Sequence, residues 1–390
     1  MIKKKALNKT VIYRIFFALL FFSVFLFLAF QTFSKRELSL IWKQEMKETI
    51  NCHTTSLSGE LIAIGSVDGK CTILNQKGTV VFEKKLSFPI LALKFSYDGN
   101  ILYVKGQSLL AINLSNQKIW EKFKKDYIVE DFWVFRDGRC SVLMHDKKDI
   151  KLNYMYLDQN GQTVKEFVLP EVYGNYSCTH SVNGKYFLLS IQEGDLYLFQ
   201  ADSTVVWNIH LDPSVKEVDK EYPMYPIYQA LANNGSVCLG YRAEEYGKDV
   251  FVAQLIDVKS NILWKKNLTS PISGMMFSPE EKKILISSQN NISVLELSGN
   301  TLYSIDQFGY QPILTKLGPT NLLVGFVPLE ASRELTKNDF IFKLVSLSRR
   351  KVIWQKRVLS EVAAFSMEKN GYVLVEVTRD RVMYYRYVLQ

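Results

Sequence analysis

The chain has little of what enzymes and metal proteins usually announce in sequence. Its five cysteines, Cys52, Cys71, Cys140, Cys178 and Cys238, are odd in number and widely spaced, with no C-x-x-C among them, so they form neither a disulfide framework nor a zinc motif. Most lie in apolar runs, where a cysteine acts as a small hydrophobe. The four histidines (His53, His145, His180 and His210) are scattered. No G-x-S-x-G elbow, H-E-x-x-H, phosphate loop or dinucleotide fingerprint occurs, which leaves no recognised catalytic residues, metal ligands or cofactor site. The carboxylate pairs Glu244 with Glu245 and Glu280 with Glu281 sit in polar stretches, and a catalytic dyad requires burial or a close partner.

The net charge of +9 has no basic stripe behind it. Residues 1–37 hold seven Lys or Arg against Glu37, which is six of the nine net charges. The excess is a topology signal, and no nucleic-acid partner is expected. Residues 15–30, IFFALLFFSVFLFLAF, carry no charge, and Gln31 to Phe33 extend the run to bilayer-spanning length. The expected order is therefore a cytoplasmic basic segment at 1–14, a transmembrane signal anchor at 15–33, a linker at 34–39 and an extracytoplasmic domain beyond. A cleaved signal peptide is the competing reading. Against it, the run is long, no A-x-A site follows, and no lipobox cysteine is present.

The remainder repeats. A strand ending in a polar residue is followed by a tight turn and a strand with an aromatic seven positions on: Asn75 with Phe82, Asn113 with Trp120, Gln200 with Trp207, Asp257 with Trp264, Glu296 with Tyr303. Asp158 with Phe167 and Ser346 with Trp354 are looser copies. Out of phase with these, turns centre on Gly59, Gly99, Gly138, Gly184, Gly235, residues 279–282, Gly318 and Gly371, where antiparallel strands should reverse. Each repeat reads as four strands. Residues 40–46, LIWKQEM, match IWEKF and IWQKR but lack a preceding strand, while residues 362–388 supply three strands without a fourth. The expected fold is an all-β propeller of eight four-stranded blades, preceded by one transmembrane helix and closed by strand 40–46 joining the last blade. Seven blades stays open should the sixth or seventh repeat be misread.

Through Trp120, Trp207, Trp264, Trp354 and, in the closing strand, Trp42, residues 40–390 resemble the eight-bladed propellers of the quinoprotein alcohol dehydrogenase-like superfamily. Enzymes of that superfamily use an adjacent cysteine pair and calcium ligands to hold a quinone. No two cysteines here are adjacent, so the resemblance implies the non-catalytic type, a binding platform such as the bacterial outer-membrane assembly lipoprotein, with no cofactor.

A propeller fold alone does not specify function. The expected role is a membrane-anchored scaffold for a protein partner; the alternative is an enzyme with an unrecognised site in the axial funnel. In a propeller the tight turns share one face, and the long insertions, 212–229, 241–249 and 328–339, fall on the other. That face is the expected recognition surface. Its candidate contacts are Tyr222, Met224, Tyr225, Tyr228, Tyr241 and Tyr246, residue types favoured at interfaces; the competing reading has these aromatics filling the propeller rim. His53 and His180, in CHTTS and CTHS, are expected to face the central channel as hydrogen-bonded polar residues rather than as metal ligands.

Overall fold

The structure, a computed structural model, describes residues 39–390 apart from 116–118, 123–126, 149–150, 173–174, 192–193, 212–227, 246–247, 290, 307–309, 318–320, 329–339, 348, 350, 359–361, 369–370, 379 and 389–390. The described chain is built of strands grouped into eight four-stranded antiparallel sheets, in agreement with the larger repeat count. The expectation of a helix ahead of them is corrected. All regular backbone pairing among the described residues runs between strands, and no helix there is long and apolar enough to cross a membrane. The fold class is all-β, and residues 15–33 lie outside the described residues.

Each of the first seven sheets follows chain order from an inner to an outer strand, as in Ile50–Thr55, Leu61–Ser66, Lys70–Asn75 and Val80–Lys85. The inner strand of sheet one is a neighbour of the inner strands of sheets two and eight, so the sheets follow one another around an axis as blades. Blade eight is composite: Val362–Glu368, Gly371–Val377 and Arg381–Val388 are completed on the outside by Ser39–Glu45. The Met46 amide continues that pairing with a 2.7 Å bond to the Asp380 carbonyl.

Middle strands such as Leu152–Leu157 and Tyr186–Ile191 are buried along their whole length, because each blade is covered on both faces. They therefore read as continuous apolar runs rather than alternating ones. Outer strands such as Thr163–Val168 interleave lysine and glutamate with valine and are largely exposed, a composition that discourages edge pairing with other chains. Seven of the eight junctions between consecutive blades are filled by a buried apolar cluster among the described residues.

Two turn devices repeat. Between the inner two strands, the buried hydroxyls of Ser56, Ser96, Ser181 and Ser278 accept the amide five residues on, and the turn closes through a left-handed residue. Between the outer two strands, an Asn or Asp carboxamide or carboxylate caps the turn, as Asn75 Oδ1 does for the amides of Lys77 and Thr79. An outer-strand tryptophan of the preceding blade then lies on that turn. Trp120 Nε1 donates to the Gln159 carbonyl at 3.0 Å and Trp264 Nε1 to that of Leu297 at 2.9 Å.

One expected loop is corrected. Residues 241–249 mostly belong to strands Val237–Glu245 and Lys248–Ile256, paired as far as Glu245 opposite Lys248. Their backbone groups satisfy one another across the ladder, so the segment extends the sheet of blade five.

Candidate functional site

The inner strands of blades one to four end side by side, and their last residues with the first residues of the following turns enclose a cavity of about 600 Å³. It is lined by residues 53–57, 94–97, 133–136 and 180–182. This is the tight-turn end of the inner strands, opposite the end to which the long insertions were assigned.

His180 is held most firmly. Its ring lies 4.2 Å from Trp133, 4.7 Å from Phe187 and, stacked, 5.5 Å from Tyr154. Nε2 is 3.1 Å from the Ser141 hydroxyl and 3.0 Å from that of Tyr154, whereas the buried Nδ1 has no partner among the described residues. Burial, reinforced by the charge of Lys94, pushes its pKa well below the usual histidine range. Burial alone takes His53 down to about 4. Both imidazoles are neutral at physiological pH.

Lys94 stands 4.5 Å over the Phe132 ring and 5.7 Å from that of Trp133. Its ammonium donates to the Phe132 carbonyl and, at 3.4 Å, to Asp131 Oδ1. Burial lowers its pKa, with Asp131 acting in the opposite direction. The Arg136 guanidinium stacks 4.9 Å above the exposed ring of Tyr97. At the mouth, Leu57, Tyr97 and Val182 are 42%, 43% and 54% exposed, an apolar rim around a polar floor.

Among the described residues the cavity presents no activated nucleophile. The two hydroxyls on His180 Nε2, those of Ser141 and Tyr154, are both buried, so substrate has no approach to either, and among the described residues no carboxylate orients the ring. All five thiols are raised above their ordinary range by burial, Cys52 to about 12, which keeps them protonated and unreactive at neutral pH. Among the described residues no three His, Cys, Asp or Glu side chains converge to hold a metal ion.

The residues singled out from sequence are only partly brought together. His53 and His180 both line the cavity. Tyr228 opens the inner strand of blade five opposite Gly240, half-buried against the cluster between blades five and six. Tyr241 is half-buried in the second strand, its hydroxyl 3.3 Å from Gln254 Oε1. Tyr222, Met224, Tyr225 and Tyr246 lie outside the described residues. Sequence reasoning passed over Lys94, Trp133, Arg136 and Tyr97. The signal was the turn register: aligning the inner turns on Ser56, Ser96 and Phe135 stacks Thr54, Lys94 and Trp133 two places before, and Leu57, Tyr97 and Arg136 one place after.

No protein-family model matches the chain, and no curated protein matches it in sequence. In three dimensions it is similar to BamB from Moraxella catarrhalis, with 11% identity over 90% of this chain and 100% of that one and a TM-score of 0.58. Sqt1 of Saccharomyces cerevisiae aligns with 8% identity over 91% and 100% of the two chains, at a TM-score of 0.62. The C-terminal WD40 domain of Sif2 does so with 12% identity over 89% and 98%, also at 0.62. At such identities the likeness extends to the β-propeller fold alone.

Proposed function

We propose that this chain is a protein-binding or assembly scaffold, held at a membrane by its apolar N-terminal segment with the propeller on the extracytoplasmic side. The observation that carries the binding role is the axial cavity: aromatic rings, cations and neutral imidazoles gather beneath an exposed apolar rim, while the serine–histidine pair of Ser141 and His180 is buried. Anchored aromatic and arginine side chains at a concave surface are the usual basis of tight protein contacts. The membrane side of the reading is supported by the seven basic residues of 1–37 and the uncharged run at 15–30. Repeat-borne tryptophans on neighbouring turns support a place among quinoprotein alcohol dehydrogenase-like propellers of the non-catalytic type.

The enzyme alternative draws on His53 and His180, neutral bases in a funnel. Site-specific photo-crosslinking in cells separates the two. A photoreactive residue at Tyr97 or Val182 should trap a discrete protein, and one at Val164, exposed on an outer strand, should not. Equal labelling at all three positions would reject the cavity mouth as a recognition surface. Protease added to spheroplasts tests orientation: the propeller should be digested, and its protection alongside digestion of a known extracytoplasmic domain would reverse the topology.

A further inference from the structure

We infer that the axial cavity is a carboxylate site, filled by an acidic side chain that a protein partner presents within an apolar stretch. The inference rests on the scaffold reading and names the chemistry that would engage it. The lining contains Lys94 and Arg136 and no Asp or Glu. Among the described residues Arg136 has no carboxylate partner; its guanidinium is stacked on Tyr97, which leaves its in-plane N–H groups free to donate. The carboxylate contact of Lys94 among the described residues is the long 3.4 Å one to Asp131, where both side chains are partly exposed, and its ammonium also donates to the Phe132 carbonyl.

Two imidazoles flank the same space. His180 Nδ1 is buried without a partner beside the cavity. In the neutral ring one nitrogen carries the proton; with Nε2 accepting from the Ser141 or Tyr154 hydroxyl, Nδ1 is an N–H donor in need of an acceptor. The His53 side chain, across the cavity on blade one, likewise has no hydrogen-bond partner among the described residues. An anion entering the cavity meets the two cations and has the His53 imidazole within the same lining, whereas His180 Nδ1 is closed off from solvent. A free inorganic anion would satisfy the floor equally well. The exposed rim of Leu57, Tyr97 and Val182 favours a peptide, whose flanking apolar side chains cover it.

The test titrates the purified full chain with the fluorescein-labelled peptide Leu-Glu-Phe-Glu-Leu and with its counterpart in which glutamine replaces both glutamates, followed by fluorescence polarisation. The acidic peptide should bind about tenfold more tightly or better, and Arg136→Gln and Lys94→Met should each remove most of that difference. Thermal melting of both variants guards against misfolding; Arg136 is exposed, so its variant stays informative even where Lys94→Met loosens the Phe132 contact. Equal binding of the two peptides, insensitive to both substitutions, overturns the carboxylate assignment and leaves the scaffold reading standing. Binding of neither peptide overturns it as well, while the crosslinks at Tyr97 and Val182 report on the scaffold reading separately. Inorganic phosphate or free glutamate competing as strongly as the acidic peptide would overturn the peptide source and assign the cavity to a small anion.

Discussion

The indole Nε1 of Trp42 donates a 2.7 Å hydrogen bond to the backbone carbonyl of Gln76, so the outer strand of the last blade is fastened to a turn of the first. The indole also stacks on Tyr384, with ring centroids 5.5 Å apart and planes 6° from parallel. Trp207, at the matching place in blade four, is buried, but among the described residues its Nε1 has no partner. Replacing each by phenylalanine should therefore give different results. Both variants lose ring packing, and Trp42→Phe is expected to cost about 1 kcal/mol more than Trp207→Phe, the net value of one hydrogen bond. Urea titrations of the two variants check this; equal losses would show that packing, not the indole bond, sets the value of these positions.

The turn beneath Trp120 is tighter still. Gly161 has φ of +76°, and a Cβ placed there would lie 2.5 Å from the indole of Trp120. Gly161→Ala combines left-handed strain, about 1 kcal/mol, with an overlap that only a shift of the ring can relieve. A loss of about 2 kcal/mol or more is expected. In the double variant with Trp120→Ala the alanine should cost only the backbone strain. Unchanged cost in that background would locate the penalty in the turn alone.

Closure by Ser39–Glu45 makes a second kind of prediction. Removing residues 39–45 strips blade eight of its outer strand, leaving the edge of Arg381–Val388 unpaired and the face of Tyr384 uncovered. The truncated chain should melt many degrees below the full chain, and amides of Arg381–Val388 should lose protection from hydrogen exchange before those of blades two to four. Melting indistinguishable from the full chain would mean that the strand contributes nothing to the ring.

These features differ in how visible they were in the sequence. Turns and docking tryptophans were legible because each is local and repeated: Asn75, Asp158 and Asp257 cap their own turns, and the aromatic follows within a few residues. The cavity was legible only in part: His53 and His180 were expected on channel-facing strands, but Lys94 and Arg136 come from two other blades and share no spacing with them, only a place relative to a turn. Loop length pointed to the opposite face, and part of that signal was strand: the pairing of Glu244 with Asp249 and Glu245 with Lys248 shows that polar residues at a sheet's tip can read as loop. A hydropathy run says how apolar a segment is, which is a different question from how the described chain folds.

The pH dependence of stability offers the most direct view of the cavity. His53, with a folded pKa of about 4, and His180, well below 6.5, bind fewer protons in the folded chain than in the unfolded one. Their neutral state imposes no penalty above pH 6.5. As the pH falls below 6.5 the unfolded chain gains protons that the folded chain refuses, and stability drops by at most about 1.4 kcal/mol per pH unit for each histidine. The His53 contribution ends near pH 4, below which both states are protonated. Depressed carboxylates have the same sign in a lower window: Asp68, near 2, loses its contribution only as the pH falls below the ordinary aspartate value. From pH 6.5 to about 5 the imidazoles are set against Glu281, whose carboxyl burial raises and whose contribution therefore has the opposite sign. Unfolding free energy measured there should fall with acidification, and His53→Gln should shallow the slope. A flat profile across that interval would mean that both rings take up protons as readily when folded, and the neutral-donor account of the cavity would fail with it.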